Sequence, residues 1–237
     1  MISLNGSLKM KVVIVLIITS FLSAHQYTVS IFGIPIVNVT MIQNNATSLS
    51  FETKTVGVFD VVWPLNNKYS VTFDSTSFGI QTYEKNIDQG EFTQSLSAVY
   101  NNKLHALDYK DGPSISREKS CKTILSLLAW AQNSPSDRSD AKWFPMEHEG
   151  DLYDSRLLLA DTPFLNIFED STLTDHYRLD LKLKEPGKFL DRTDYFMEHI
   201  VMPGMVKQLW IEHEYPYRII QASVSVWNLD VKALINE

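Results

Sequence analysis

From His176 to Leu183 the chain alternates residue by residue: Tyr177, Leu179, Leu181 and Leu183 fall on one side, His176, Arg178, Asp180 and Lys182 on the other. A period of two belongs to a strand with one dry and one wet face, and a helix cannot sort these residues. The pattern returns near the C-terminus, where Trp227, Leu229, Val231 and Ala233 oppose Asn228, Asp230 and Lys232. Further strands are read at 26–32, 35–43, 48–56, 68–74, 79–86, 91–100, 103–109, 152–159, 205–213 and 217–226. Turn formers separate them at Asn44-Asn45, Asp88-Gln89-Gly90, Asn101-Asn102 and Tyr215-Pro216. So many short strands at hairpin spacing predict a mainly β protein, a curved antiparallel meander sheet that is open or closed as a barrel.

One stretch departs from this period. Residues 116–133 place Cys121, Ile124, Leu125, Leu128 and Ala131 at helical spacing, with Ser116 at the start and Asn133-Ser134-Pro135 beyond the end. This predicts one amphipathic helix packed on, or across the mouth of, the sheet. Cys121 reads as a small buried hydrophobe. It is the only cysteine of the 237 residues, which excludes an intramolecular disulfide framework and a cysteine-cluster zinc site. A polar loop is read at 134–142, and an insertion at 186–204 holds either a helical turn around 194–199 or a lid.

The start of the chain has a different character. Lys9 and Lys11 precede an apolar run, Val12 to Ile18, that continues to Phe21 and Leu22 and ends on Ser23-Ala24. This basic, apolar, small-residue order is that of a secretory signal peptide, residues 1–24, cleaved after Ala24. The run is shorter than the ~20 residues of a spanning helix, so no transmembrane helix is expected in the mature chain. Met1 and Met10 are both possible starts, since Met10 opens a complete signal by itself. Residues 25–237 then form one β-rich domain. The expected location is the periplasm or the exterior. Cleavage there would also expose His25 as an amino-terminal copper chelator, a weaker reading than no cofactor at all.

With 21 Lys and Arg against 28 Asp and Glu, the formal net charge is −7. No basic block stands against that background, so nucleic acid is not an expected partner and anionic membrane surfaces are disfavoured.

The order of features along the chain resembles a bacterial exported family, domain of unknown function 3108. The residues that carry it are Tyr27-Thr-Val-Ser-Ile-Phe-Gly33-Ile, Val56-Gly-Val-Phe-Asp-Val-Val-Trp63-Pro-Leu, Lys68-Tyr-Ser-Val-Thr-Phe-Asp74, Tyr83-Glu-Lys-Asn-Ile and Ala98-Val-Tyr100. Leu125-Ser-Leu-Leu-Ala-Trp130, Trp143-Phe-Pro145, Gly150-Asp-Leu-Tyr153, Leu209-Trp-Ile-Glu-His and Tyr217-Arg-Ile-Ile complete it. The resemblance implies an exported, curved-sheet or barrel-like envelope protein of unassigned activity, and it carries no catalytic residue. The helix-flanking loop and the 186–204 insertion look longer than the family pattern.

Motifs for catalysis are absent: there is no His-Glu-x-x-His, phosphate-cradling loop, Gly-x-Ser-x-Gly elbow or CxxC. Two acidic triplets repeat, Glu147-His148-Glu149 and Glu212-His213-Glu214. Their preferred reading is charge on solvated hairpin ends; the competing one pairs His148 with His213 at a metal, for an envelope hydrolase or metal-dependent enzyme. Among the tryptophans, Trp63, Trp130 and Trp143 sit at element ends or on the expected helix and are the candidate contacts for an apolar or amphipathic ligand. The alternative is that they fill irregular space. The sequons at Asn38 and Asn45 are read as coincidence. The leading expectation is a non-enzymatic envelope protein that binds an apolar or amphipathic molecule or a partner protein. The remaining alternative is a structural scaffold at the outer membrane that pairs through an exposed sheet edge.

Overall fold

The computed structural model of the chain describes residues 23–134, 140–167, 170–226 and 229–236. Strands β1 (Ser23–Ile31), β2 (Ile34–Asn45) and β3 (Ser48–Thr55) lead through helix α1 (Val58–Val62) to β4 (Asn66–Phe73), β5 (Ile80–Gln89) and β6 (Phe92–Asn101). Short strands β7 (Ala106–Tyr109) and β8 (Ser114–Ser116) precede helix α2 (Ile124–Gln132). Then come β9 (Phe144–His148), β10 (Asp151–Asp161), β11 (Phe164–Ile167), β12 (Asp170–Glu185) and helix α3 (Tyr195–Val201). The chain ends with β13 (Val206–Glu212), β14 (Ile219–Val226) and β15 (Leu229–Ile235).

All pairings between these strands are antiparallel, and the sheet runs from β8 down to β1, across to β15, then through β14, β13, β12 and β10 to β9. The β1–β15 pairing, Tyr27 against Ile235, joins the two ends of the domain. Alternation sets the faces as expected: along β5 the side chains of Tyr83, Lys85, Ile87 and Gln89 are buried, while Glu84, Asn86 and Asp88 are exposed.

The sheet curls without closing through its own ladder. Its edges β8 and β9 meet instead through the segment after β8. Lys122 N–H donates to Pro145 O (3.0 Å), Glu147 N–H donates to Lys122 O (2.7 Å), and Ile80 N–H donates to Cys121 O (2.8 Å). Backbone groups of the β9 edge are thereby satisfied, which removes the usual template for pairing with another chain at that edge. Gly79 permits the approach, since a Cβ there would lie 1.8 Å from the Lys119 carbonyl oxygen.

Helix α2 is shorter than the periodicity predicted. Residues 114–116 are strand β8, and Cys121 lies in the extended closing segment rather than on a helical stripe. The helix starts at a capping box: Ser126 N–H donates to Thr123 Oγ1 (3.2 Å) and Thr123 N–H to Ser126 Oγ (3.0 Å). No residue of α2 is exposed, and it packs on β3, β4 and β9 inside the curl of the sheet. The residue order could not show this, because the strands that cover its second face are distant in sequence.

The expected signal segment lies outside the described residues except for Ser23 and Ala24, which open β1 opposite Gln43 and Ile42. Trp227 and residues 135–139 of the expected loop also lie outside them. No helix among the described residues is long and apolar enough to cross a membrane.

Candidate functional site

The triplet Glu147-His148-Glu149, preferred above as a solvated hairpin end, is buried at all three positions. Its carboxylates belong to an ionic network inside the curl. Lys85, 0% exposed, points from β5 to Glu149, to Thr193 Oγ1 (2.8 Å) and to Asp194 Oδ2 (3.1 Å). Tyr69 donates its hydroxyl proton to Asp194 Oδ1 (2.8 Å), and Asn67 Nδ2 donates to Tyr69 Oη (3.1 Å). On the other side Arg117 pairs with Glu147 and donates to Gly150 O (2.6 Å), while Tyr109 Oη donates to Glu147 Oε1 (2.7 Å). Because Arg117 follows β8 and Glu147 lies on β9, this pair also clasps the two edges of the sheet.

Three carboxylates therefore share two cations away from water, and two polar atoms of the cluster have no hydrogen-bond partner: Glu149 Oε2 and Tyr83 Oη. Both residues line a small cavity together with Ile80, Tyr109, Thr123, Ile124, Glu147, His148 and Met197. It has room for about one water-sized group. Burial, then the nearby carboxylates, push the Tyr83 phenol well above its ordinary range. Burial followed by Asp194 does the same to Tyr69, and burial followed by Glu147 to Tyr109. Burial holds the His148 imidazole below its usual value, so it stays neutral. The Cys121 thiol is pushed up to about 12 by burial, which leaves it without nucleophilic character near neutrality.

The cavity is stopped by the connection between β12 and β13. Gly187 packs against Gly150, where a Cβ on either would lie 2.5 Å from the other's carbonyl oxygen. Beyond it Phe189 stacks edge-on to Tyr109 (4.7 Å) and Gln94 Nε2 donates to Arg192 O (2.9 Å). Asp194 caps α3 by accepting from Met197 N–H (3.1 Å), so one carboxylate both starts the helix and binds Lys85. Met197 and Ile200 face inward; Tyr195 and Phe196 face outward.

Outside the stopper lies an apolar rim. The β1–β2 turn carries Phe32 and Ile34; α1, which has no buried residue, carries Val58, Val61 and Val62, followed by Trp63. Pairing places these at one end of the sheet: Val37 opposes Thr55, and Val56 N–H donates to Ile36 O (3.1 Å). Trp63 meets Tyr195 of α3 edge-on at 5.8 Å, which joins the rim to the stopper. Exposure is high at Val61 (82%), Val62 (76%) and Phe32 (75%).

Of the expected ligand contacts, Trp63 is on this rim. Trp130 is half-buried on α2 against Phe144 (5.0 Å), and exposed Trp143 carries Arg156 over its ring (4.4 Å). Among the described residues none of these three rings touches another, so they do not form one aromatic site. A surface cleft of about 310 Å³ beside Val99 and Tyr100 is lined by none of them. His148 and His213 are not brought together either. His148 sits beside the Glu185 end of β12, where Leu152 pairs with Glu185, whereas His213 N–H donates to Leu173 O at its other end. At ~3.3 Å per residue those ends are roughly 35–40 Å apart along the strand. His213 pairs with Asp175 (2.8 Å), Glu212 with Arg218, and no cluster of three or more metal-binding side chains exists among the described residues.

Sequence reasoning passed over Lys85, Asp194, Arg117 and the three tyrosines of the network. Lys85 was visible: it shares the dry face of β5 with Tyr83 and Ile87, a position where an unpaired lysine would not persist.

No family model matches the chain, and no curated protein does. Among solved structures it is similar to a β-barrel-like protein of domain of unknown function 1849 from Brucella abortus, at 6% identity and a TM-score of 0.54, covering 90% of this chain and 95% of that one. The fold is β-barrel-like. A domain of unknown function 1089 protein from Pseudomonas aeruginosa is more distant, at 7% identity and a TM-score of 0.33 over 81% of this chain and 84% of that one.

Proposed function

We propose that the protein is exported to the cell envelope, as a relative of the domain of unknown function 3108 family, and acts there as a non-catalytic protein that binds an uncharged or zwitterionic lipid surface through its apolar rim. One observation carries this reading: the rim gathers the exposed side chains of Phe32, Ile34, Val58, Val61, Val62 and Trp63 at one end of the sheet. Phe32 is the sharpest case. It occupies the left-handed region (φ 51) in the Phe32-Gly33 turn, where Asn, Asp or Gly is usual, and so accepts strain to present an aromatic ring outward.

The occupied interior argues against a preformed ligand cavity under α2. The occupied β9 edge argues against strand addition by a partner protein there. Separate apolar tips with Trp and Tyr at their margin match an interface with headgroups, and the net charge of −7 favours lipids without net negative charge. The test is co-sedimentation with phosphatidylcholine vesicles. Val61→Asp with Val62→Asp should cut binding by about tenfold or more, from the ~1.5–3 kcal/mol that burial of each such side chain contributes. Equal sedimentation of the wild type and this variant would refute the reading. Retained binding to a partner protein with none to vesicles would move the rim to a protein-docking role.

A further inference from the structure

We propose that the cavity behind α3 receives a primary ammonium head group of an amphiphile, with the 186–204 connection as its removable stopper. The inference rests on the rim reading, since the alkyl chain would lie on the rim while the head enters the cavity. Three features of the cavity select the head. Glu149 Oε2 is a buried carboxylate oxygen without a donor, and Tyr83 Oη beside the same cavity has no partner. The cluster holds three carboxylates against Lys85 and Arg117, so a further cation restores balance where a carboxylate would be repelled. An ammonium is a water-sized group with three donors and no acceptor, and it meets both orphan atoms at once. Ile80, Ile124 and Met197 supply apolar wall for the first carbons of the chain.

The stopper belongs to no ladder, and it is flanked by Gly187 and by Gly204 at φ 78. Its first half is anchored by Gly187 on Gly150, Phe189 on Tyr109 and Gln94 on Arg192, while α3 is held inward by Thr193, Asp194, Met197 and Ile200 and by Phe196 against Tyr69. Met197 is itself a wall of the cavity, so a shift of α3 at Met197 opens the cavity toward Phe196, Tyr195 and Trp63, with Asp194 still bound to Lys85 at the start of the helix.

The experiment titrates the full chain with decylamine, decanol and decanoate below their micelle concentrations, at neutral pH and physiological salt, by calorimetry. A charge-assisted bond to a buried carboxylate is worth about tenfold or more in affinity, so decylammonium should bind at one per chain and at least that much tighter than the other two. Tyr83→Phe should weaken the amine several-fold and leave the unfolding midpoint unchanged, because the lost hydroxyl has no partner. Asp194→Asn, which still caps α3, should weaken the amine several-fold, because two carboxylates then face Lys85 and Arg117. Short-chain phosphatidylethanolamine against phosphatidylcholine of equal chain length distinguishes a lipid-borne ammonium from a free amine. Equal affinity for the three heads, or unchanged amine selectivity in Tyr83→Phe, would overturn the inner site. If such a protein still sediments with phosphatidylcholine vesicles, the rim reading stands without it.

Discussion

Replacing Lys85 by Met tests whether the ionic network organises the interior. The substitution keeps chain length and volume but removes the ammonium that binds Glu149, Thr193 and Asp194. It leaves two carboxylates at 3% and 0% side-chain exposure without their cation. Removing one partner of a buried pair costs about 3–5 kcal/mol, and Tyr69 and the Asp194 helix cap compensate only one of the two acids. A loss of about 4 kcal/mol is therefore expected, a large part of the ~5–15 kcal/mol of a typical domain. With a urea m-value of about 2 kcal/mol/M the midpoint should fall by about 2 M at unchanged slope. Tryptophan fluorescence reads the transition. The triple variant Lys85→Met, Glu149→Gln, Asp194→Asn should recover most of the loss, since it leaves no unpaired charge. A single variant within about 1 kcal/mol of wild type would refute the reasoning. So would a triple variant as unstable as the single one, because the loss would then be one of packing.

Burial holds His148 below its usual range, so the unfolded chain takes up a proton first as pH falls through about 6.5, and the folded state loses stability from there down to the folded pKa. His148→Gln should flatten unfolding free energy against pH in that window; an unchanged slope contradicts the assignment. The raised phenols of Tyr69, Tyr83 and Tyr109 act in the opposite direction, so stability should fall as pH rises above about 10, with tyrosinate absorbance from these residues appearing only with unfolding. Early, reversible ionisation of all tyrosines would contradict their burial. Gly79→Ala should destabilise by about 3 kcal/mol in urea unfolding, because its Cβ meets the Lys119 carbonyl just before the closing segment. A change under about 0.5 kcal/mol would show that the closing segment yields freely.

The strands that carry the fold were legible where alternation was long. The antiparallel meander follows directly from the pattern, and so does the dry face of β12 at Tyr177, Leu179 and Leu181, although Leu183 near the end of the strand is exposed. Strands β8, β9 and β11 were missed because three to five residues hold too few alternations to register. Helix α1 was missed because Val58–Val62 is mostly apolar yet has no buried residue, and local hydropathy reports affinity for a core without saying whether a core is there. The first acidic triplet was misread for a related reason. Glu147 and Glu149 are charged and precede Gly150, which looks like a hairpin tip. Their burial depends on partners far along the chain, Arg117 thirty residues away and Lys85 sixty-four. Local periodicity cannot see such pairs; only the curl of the sheet brings them together.

The most direct test of the account is hydrogen exchange of the full chain with and without phosphocholine micelles, resolved by peptide. Slowed exchange confined to the β1–β2 turn at 32–34, the α1 region at 57–63 and the start of α3 at 195–196 is the predicted result. Unchanged exchange at these three tips, or protection concentrated instead at the opposite end around 44–47 and 101–105, would contradict the rim as the surface through which this protein works.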